Sequence, residues 1–225
     1  MKFTDAKTGM SRFLQSQAAG QKIYRAPMFS VVNIAAFADN NGVLQPQKLS
    51  FFQTGRGKVG NGFGRALTGA ETSLPSGADG VMPGGIEYIA DHLGVDLFPS
   101  LPEHLKTFLT EKSFLVQRRL SHEWVCGATR YWPCAAYGNQ SQAAATTVAN
   151  TTLTYGVNGR VPLTHLPEGG EIYFPAKQQV DFVVETTEAV NMTANGEPVS
   201  DQNPKLTEAL VAVVLLGWQF EVITT

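Results

Sequence analysis

The residues with the clearest chemical spelling are Gly55-Arg56-Gly57-Lys58-Val59-Gly60, which match the spacing G-x-G-x-x-G and follow an apolar run at 49–54. Such a loop holds a pyrophosphate when its glycines open directly into a helix whose N-terminal N–H groups face the anion. Here Asn61-Gly62-Phe63-Gly64 prolongs the loop, and no strand–helix–strand alternation follows, so a dinucleotide site is not expected. Lys58 is followed by Val59 rather than Ser or Thr, which removes the phosphate-binding P-loop as well.

Other chemistry is equally sparse. His92, His104, His122 and His165 are too far apart in sequence to present two ligands from one turn, so no metal or other cofactor is expected. Cys126 and Cys134 lack the C-x-x-C spacing of a zinc or redox site; they either pair across a tight loop or stand as two ordinary thiols. No G-x-S-x-G nucleophile elbow is present, and the chain is not expected to be an enzyme, although a site assembled from distant residues leaves no sequence signature. Residues 114–137 mix Arg118, Arg119 and Arg130 with Phe114, Trp124, Tyr131, Trp132 and Tyr137, a composition that can stack on single-stranded nucleic acid. Strand-spaced aromatics are more often core, and the chain lacks the basic excess of a nucleic-acid binder.

The elements that must position these residues are strands. The chain has 225 residues, 43% hydrophobic and only 16% charged, which argues against disorder and against a charge-laced helical bundle. Its 22 glycines and 12 prolines fall between short apolar runs as turn signals. Strand-like runs lie at 28–36, 49–54, 113–117, 151–155, 180–185 and 209–223, an all-β pattern. In the last run Leu210, Ala212, Val214, Leu216, Trp218, Phe220 and Val222 share one face, while Val211, Val213 and Leu215 begin the other. Its first half therefore reads as buried on both sides, and Val214→Asp or Leu216→Asp is expected to abolish folding. One helix is expected at 102–112, with Pro102 opening it and Leu101, Leu105, Phe108 and Leu109 on one face.

Charge divides the chain. Residues 1–70 hold nine Lys/Arg against two Asp/Glu, and residues 71–225 hold eight against seventeen. The first twenty-two residues are polar, with Phe3, Met10, Phe13 and Leu14 near helical spacing, which suggests an arm or short amphipathic helix. The start, Met1-Lys2-Phe3-Thr4-Asp5-Ala6-Lys7, leads into no apolar h-region, so no signal peptide is expected and synthesis is placed in the cytoplasm. The longest apolar run, 209–217, is far short of the roughly 20 residues of a membrane-spanning helix.

The C-terminal half carries a recognisable order. Asn158-Gly159-Arg160-Val161-Pro162 and Leu166-Pro167 precede Ile172-Tyr173-Phe174-Pro175-Ala176-Lys177, which leads into Val180-Asp181-Phe182-Val183-Val184-Glu185. A polar loop and a closing Val211-Ala212-Val213-Val214-Leu215-Leu216-Gly217-Trp218 follow. This resembles the jelly-roll capsid proteins of tailless icosahedral bacteriophages; Leu49-Ser50-Phe51-Phe52-Gln53-Thr54, Glu71-Thr72-Ser73-Leu74 and Gly80-Val81-Met82-Pro83 are similar to that family's opening strands and first long loop. The resemblance implies an N-terminal arm at 1–25 and a jelly-roll β-sandwich at 26–225 with long loops and one short inserted helix. It further implies a structural virion protein, made in the host cytoplasm, whose partners are other copies of itself and other capsid proteins. Lys2, Lys7, Arg12, Lys22 and Arg25 on the arm would then meet an internal membrane, the genome or a neighbouring subunit. The alternative is a ligand- or carbohydrate-binding β-sandwich on a virion or cell surface, with Trp124, Tyr131 and Trp132 as a stacking platform.

Overall fold

The computed structural model describes residues 21–98, 100–119, 122–127, 164–165 and 172–222. In chain order its strands are β1 (Gln21–Asn33), β2 (Val43–Leu44), β3 (Lys48–Phe51), β4 (Ile86–Leu97), β5 (Ser113–Arg119), β6 (His122–Gly127), β7 (Thr164–His165), β8 (Ile172–Phe174), β9 (Asp181–Thr186), β10 (Val190–Asn191) and β11 (Leu210–Val222). Helix α1 (Glu103–Glu111) lies between β4 and β5. One sheet runs β1-β11-β4, with β7 and β8 both pairing the far side of β4; the other runs β3-β9-β5-β6, and β2 and β10 form a small separate pair. All these pairings are antiparallel.

The two sheets close on one hydrophobic core. Val32, Leu93, Val95, Leu97, Val211, Val213 and Leu215 from the first meet Leu49, Phe51, Leu115, Phe182 and Val184 from the second. Phe182 is the pivot, tilted against Phe52 at 5.9 Å and Phe174 at 6.3 Å between ring centroids. Helix α1 closes one end by burying Leu105, Phe108 and Leu109. The expected all-β sandwich with a helix near 102–112 is therefore what the chain forms, with Pro102 just outside the first turn. Among the described residues no helix is long and apolar enough to cross a membrane.

Three expectations change. The first strand starts at Gln21 rather than residue 28, so Lys22 and Arg25 belong to the sheet and not to an arm. Strand β4, twelve residues at the centre of the first sheet, has no counterpart among the sequence-derived strands. Its outward positions carry Glu87, His92, Gly94 and Asp96, which interrupt the apolar run that marks a buried strand. On β11 the core face is Val211, Val213 and Leu215, whereas Val214 and Leu216 lie half-buried on the outward face. The expected strand at 151–155 lies outside the described residues.

Candidate functional site

Chemistry-bearing groups gather where β1, β11 and β4 run past the second sheet. The β11–β4 register slips between Leu216 and Gly217, leaving Asp91 as an extra residue on β4. Such a bulge bends the strand and re-aims a side chain. Here it presents the Asp91 carboxylate to Arg25 of β1, which donates through Nη1 (2.8 Å) and Nη2 (2.9 Å) in a bidentate pair. The same carboxylate meets His92 Nδ1 at 2.6 Å, and the Arg25 guanidinium lies 5.4 Å from the Trp218 ring centroid. Arg25 thus has its charge answered on the surface of the sheet.

The bulge also fixes the residue beside it. A Cβ at Gly217 would sit against the Ile89 carbonyl and the Ala90 Cα, well inside contact distance, so only glycine lets β11 approach β4 here. Nearby, Tyr88 is buried and its hydroxyl donates to the Ala26 carbonyl at 2.7 Å, tying β4 to β1 beneath β11. Burial raises the Tyr88 hydroxyl well above its ordinary pKa, so it stays a donor.

On the inward face of the same end, Tyr24, Gln219 and Glu221 form a polar cluster. Tyr24 Oη donates to Glu221 Oε1, and Gln219 Nε2 donates to both Tyr24 Oη and Glu221 Oε1 at 2.6 Å. Partial burial, then the Glu221 hydrogen bond and charge, push the Tyr24 hydroxyl up to about 12. The cluster is one wall of a cleft of about 310 Å³ floored by Met28, Leu74, Met82 and Ile86. Arg56 also lines it, its Nε donating to the Thr72 carbonyl (3.2 Å) and its Nη2 to the Ser73 carbonyl (3.3 Å). A cation and a carboxylate in one partly apolar cleft suit a small ligand or an inserted side chain.

The segment beside the cleft is held by Glu71. Its carboxylate accepts from Arg65 Nη2 (2.8 Å), the Thr68 N–H (2.7 Å) and the Thr68 hydroxyl (2.6 Å). These bonds, led by that from Arg65, hold the carboxyl at about 2. The Glu71 carbonyl accepts from the Val31 N–H at 2.7 Å, and the Ser73 N–H donates to the Phe29 carbonyl at 2.9 Å. Residues 71–73 therefore line the outer edge of β1 over 29–31.

The residues singled out in the sequence are distributed unevenly. The glycine-rich loop at 55–60 leads into a turn, with the Phe63 N–H donating to the Gly60 carbonyl and Val59 bridging Ala66, rather than into a helix. Lys58 is paired with Asp79. The β4–β7 pairing sets His92 directly opposite His165 in register, a proximity their separation in sequence conceals. His104 Nε2 lies 3.3 Å from the Asn191 carbonyl. Trp124 and Cys126 fall on β6, while Tyr131, Trp132, Tyr137, Arg130 and Cys134 lie outside the described residues. Lys2, Lys7 and Arg12 do as well. Lys22 sits on β1 directly opposite Glu221, and Arg25 opposite Trp218. Sequence reading missed Asp91, Glu71, Tyr24, Gln219 and Glu221, because their roles arise from strand register and a bulge. The single cue was Gly217, a glycine inside an apolar strand. No family model matches the chain, and no curated protein matches it.

Proposed function

We propose that this chain is a structural virion protein, a jelly-roll subunit that self-associates into a bacteriophage icosahedral shell. The observation that carries the reading is the order of the strands. The first long strand, β1, pairs with the last, β11, and β4 follows on its other side; in the facing sheet β3 pairs with β9, then β5 and β6. From β1 through β3 and β4 to β5 the principal strands alternate between sheets, β5 and β6 then form a hairpin within one sheet, and this order supports the plan of a jelly roll and of many capsid domains. The resemblance of 172–185 and 211–218 to capsid strands points the same way. Partners are then other copies and other capsid proteins, and Lys2, Lys7 and Arg12 would meet an internal membrane or the genome. Arg25, held by Asp91, leaves that basic group.

Light scattering across concentration and salt, with electron microscopy of the same sample, tests the reading. Rings, sheets or shells are expected; a strict monomer at high concentration, with or without vesicles and genome fragments, overturns it. Replacing Lys2, Lys7 and Arg12 together by Gln is expected to impair assembly or vesicle binding while leaving the melting temperature unchanged.

The cleft favours a second reading, a ligand-binding β-sandwich that takes a small anionic or sugar-like ligand between Arg56 and the Tyr24–Glu221 wall. A thermal-shift screen of glycans and small carboxylates checks it: a shift that disappears in Arg56→Ala supports it, and no shift across the screen removes it.

A further inference from the structure

Strand β1 has one edge only partly used. Its even-numbered residues face β11, and its odd-numbered ones point away: the Phe29 carbonyl and the N–H groups of Val31 and Asn33 bond to Ser73, Glu71 and Asn61 on the outer edge. By the same alternation the N–H and C=O groups of Gln21, Ile23 and Arg25, and the C=O of Pro27, point outward. None of these makes a backbone bond to another described residue. Among the described residues, none fills beside 21–27 the lane that residues 71–73 fill beside 29–31. Pro27 sits at an outward position, the only kind of place in a sheet where a missing N–H costs the ladder nothing.

We propose that this edge pairs with the same edge of a second copy, antiparallel about a twofold axis through Tyr24, joining two five-stranded sheets into one. The inference deepens the self-association reading above and rests on it. An isologous contact must be self-complementary, and this one is. With Tyr24 opposite Tyr24 of the second copy, Ile23 faces Arg25, Lys22 faces Ala26 and Gln21 faces Pro27, so no like charges stand opposite one another. Centring on Arg25 instead would set two guanidinium groups face to face. Ile23 and Arg25 exchange both backbone bonds in each half, and each Gln21 N–H finds the Pro27 carbonyl that no neighbouring N–H competes for. Near the seam Arg25 is answered within each copy by Asp91, and Lys22 has Glu221 as its cross-strand neighbour on β11. Tyr24, among the few large side chains left exposed at 39%, gains an aromatic partner across the axis. Its hydroxyl stays with Gln219 and Glu221.

Crosslinking in the full chain tests this. The two Tyr24 positions form a non-hydrogen-bonded antiparallel pair, whose Cα separation of about 4.5 Å accepts a disulfide. In a Cys126→Ser, Cys134→Ser background, Tyr24→Cys is expected to crosslink nearly completely under mild oxidation, and Lys22→Cys is not. Ile23→Pro removes an outward N–H without touching the β1–β11 ladder, so it should weaken dimerisation at least tenfold by light scattering while Ile23→Val does not. No crosslink through position 24, or a folded Ile23→Pro protein that associates as the parent does, overturns the proposal; should Ile23→Pro fail to fold, the crosslink alone decides. Shells that form without a Tyr24→Cys crosslink overturn the edge pairing and leave the shell reading standing. Dimers crosslinked through position 24 that grow no further uphold the edge pairing and overturn the shell.

Discussion

Two carboxyl groups give the stability of this protein opposite responses to acid. Asp96 on β4 has a buried carboxyl oxygen with no hydrogen-bond partner among the described residues, and burial raises its pKa to about 6. Unfolded, it would titrate near 3.9. The folded protein therefore holds this proton more tightly, and the contribution is fully present below pH ~4 and lost as pH rises through ~6. Asp96→Asn is expected to raise the melting temperature at pH 7 and flatten its dependence between pH 4 and 6.5; an unaltered profile would place the carboxyl in water. Glu71 acts in reverse. With its carboxyl at about 2 in the folded state, its contribution is present above the unfolded value of about 4.3 and fades as pH falls toward 2. Glu71→Gln should accordingly be less stable at pH 7, with the difference closing by pH 2.5, as followed by chemical denaturation at each pH.

At the scale of the element, β11 decides whether the sandwich forms. Val211, Val213 and Leu215 reach the core and Val213 and Leu215 are wholly buried, whereas Val214 and Leu216 are half-buried on the other face. Val213→Asp is expected to cost more than about 4 kcal/mol and abolish soluble expression, because it places an unpaired charge between the sheets. Val214→Asp should be clearly milder and fold in part, in contrast to the expectation from alternation alone. Similar losses for both would mean that the outward face is as dry as the core. Gly217→Ala is expected to destabilise by several kcal/mol despite adding one methyl, since the obstruction is the β4 backbone rather than a movable side chain. A normal melting temperature for that variant would show that the bulge at Asp91 can relax.

For the whole molecule, the proposed self-association rests on the strand order and on the edge of β1, which no described residue pairs over 21–27. A sheet edge left unpaired invites another strand, and proteins that stay monomeric blunt such edges with charge, proline or bulges. Here Pro27 ends the lane and Arg25 is held by Asp91 within the copy, so among the described residues the edge is terminated without being closed. Association through it should depend weakly on salt, because Arg25 is paired with Asp91 before contact and no like charges meet across the seam. Sedimentation at 50 and 500 mM salt checks this: a loss of association at high salt would mean that the contact is carried by charge and lies elsewhere.

The class of the fold was legible in the local pattern of residues. Low charge, dispersed Gly and Pro and short apolar runs point to strands, and the periodicity of Leu101, Leu105, Phe108 and Leu109 points to the α-helix seen there. These features are legible because they repeat locally, within the span of one element. The same local reading overlooked β4, whose outward acids disguise a central strand, and it could not choose the core face of β11, where both faces are apolar. It set Arg25 on an arm, although pairing with β11 and the bulge at Asp91 make it part of the sheet. Which face is inward, which carboxylate meets which cation and which edge no described residue pairs emerge only once the strands are assembled. Each of these depends on register between distant segments, Tyr24 meeting Glu221 across 197 positions, and no local pattern records such a register.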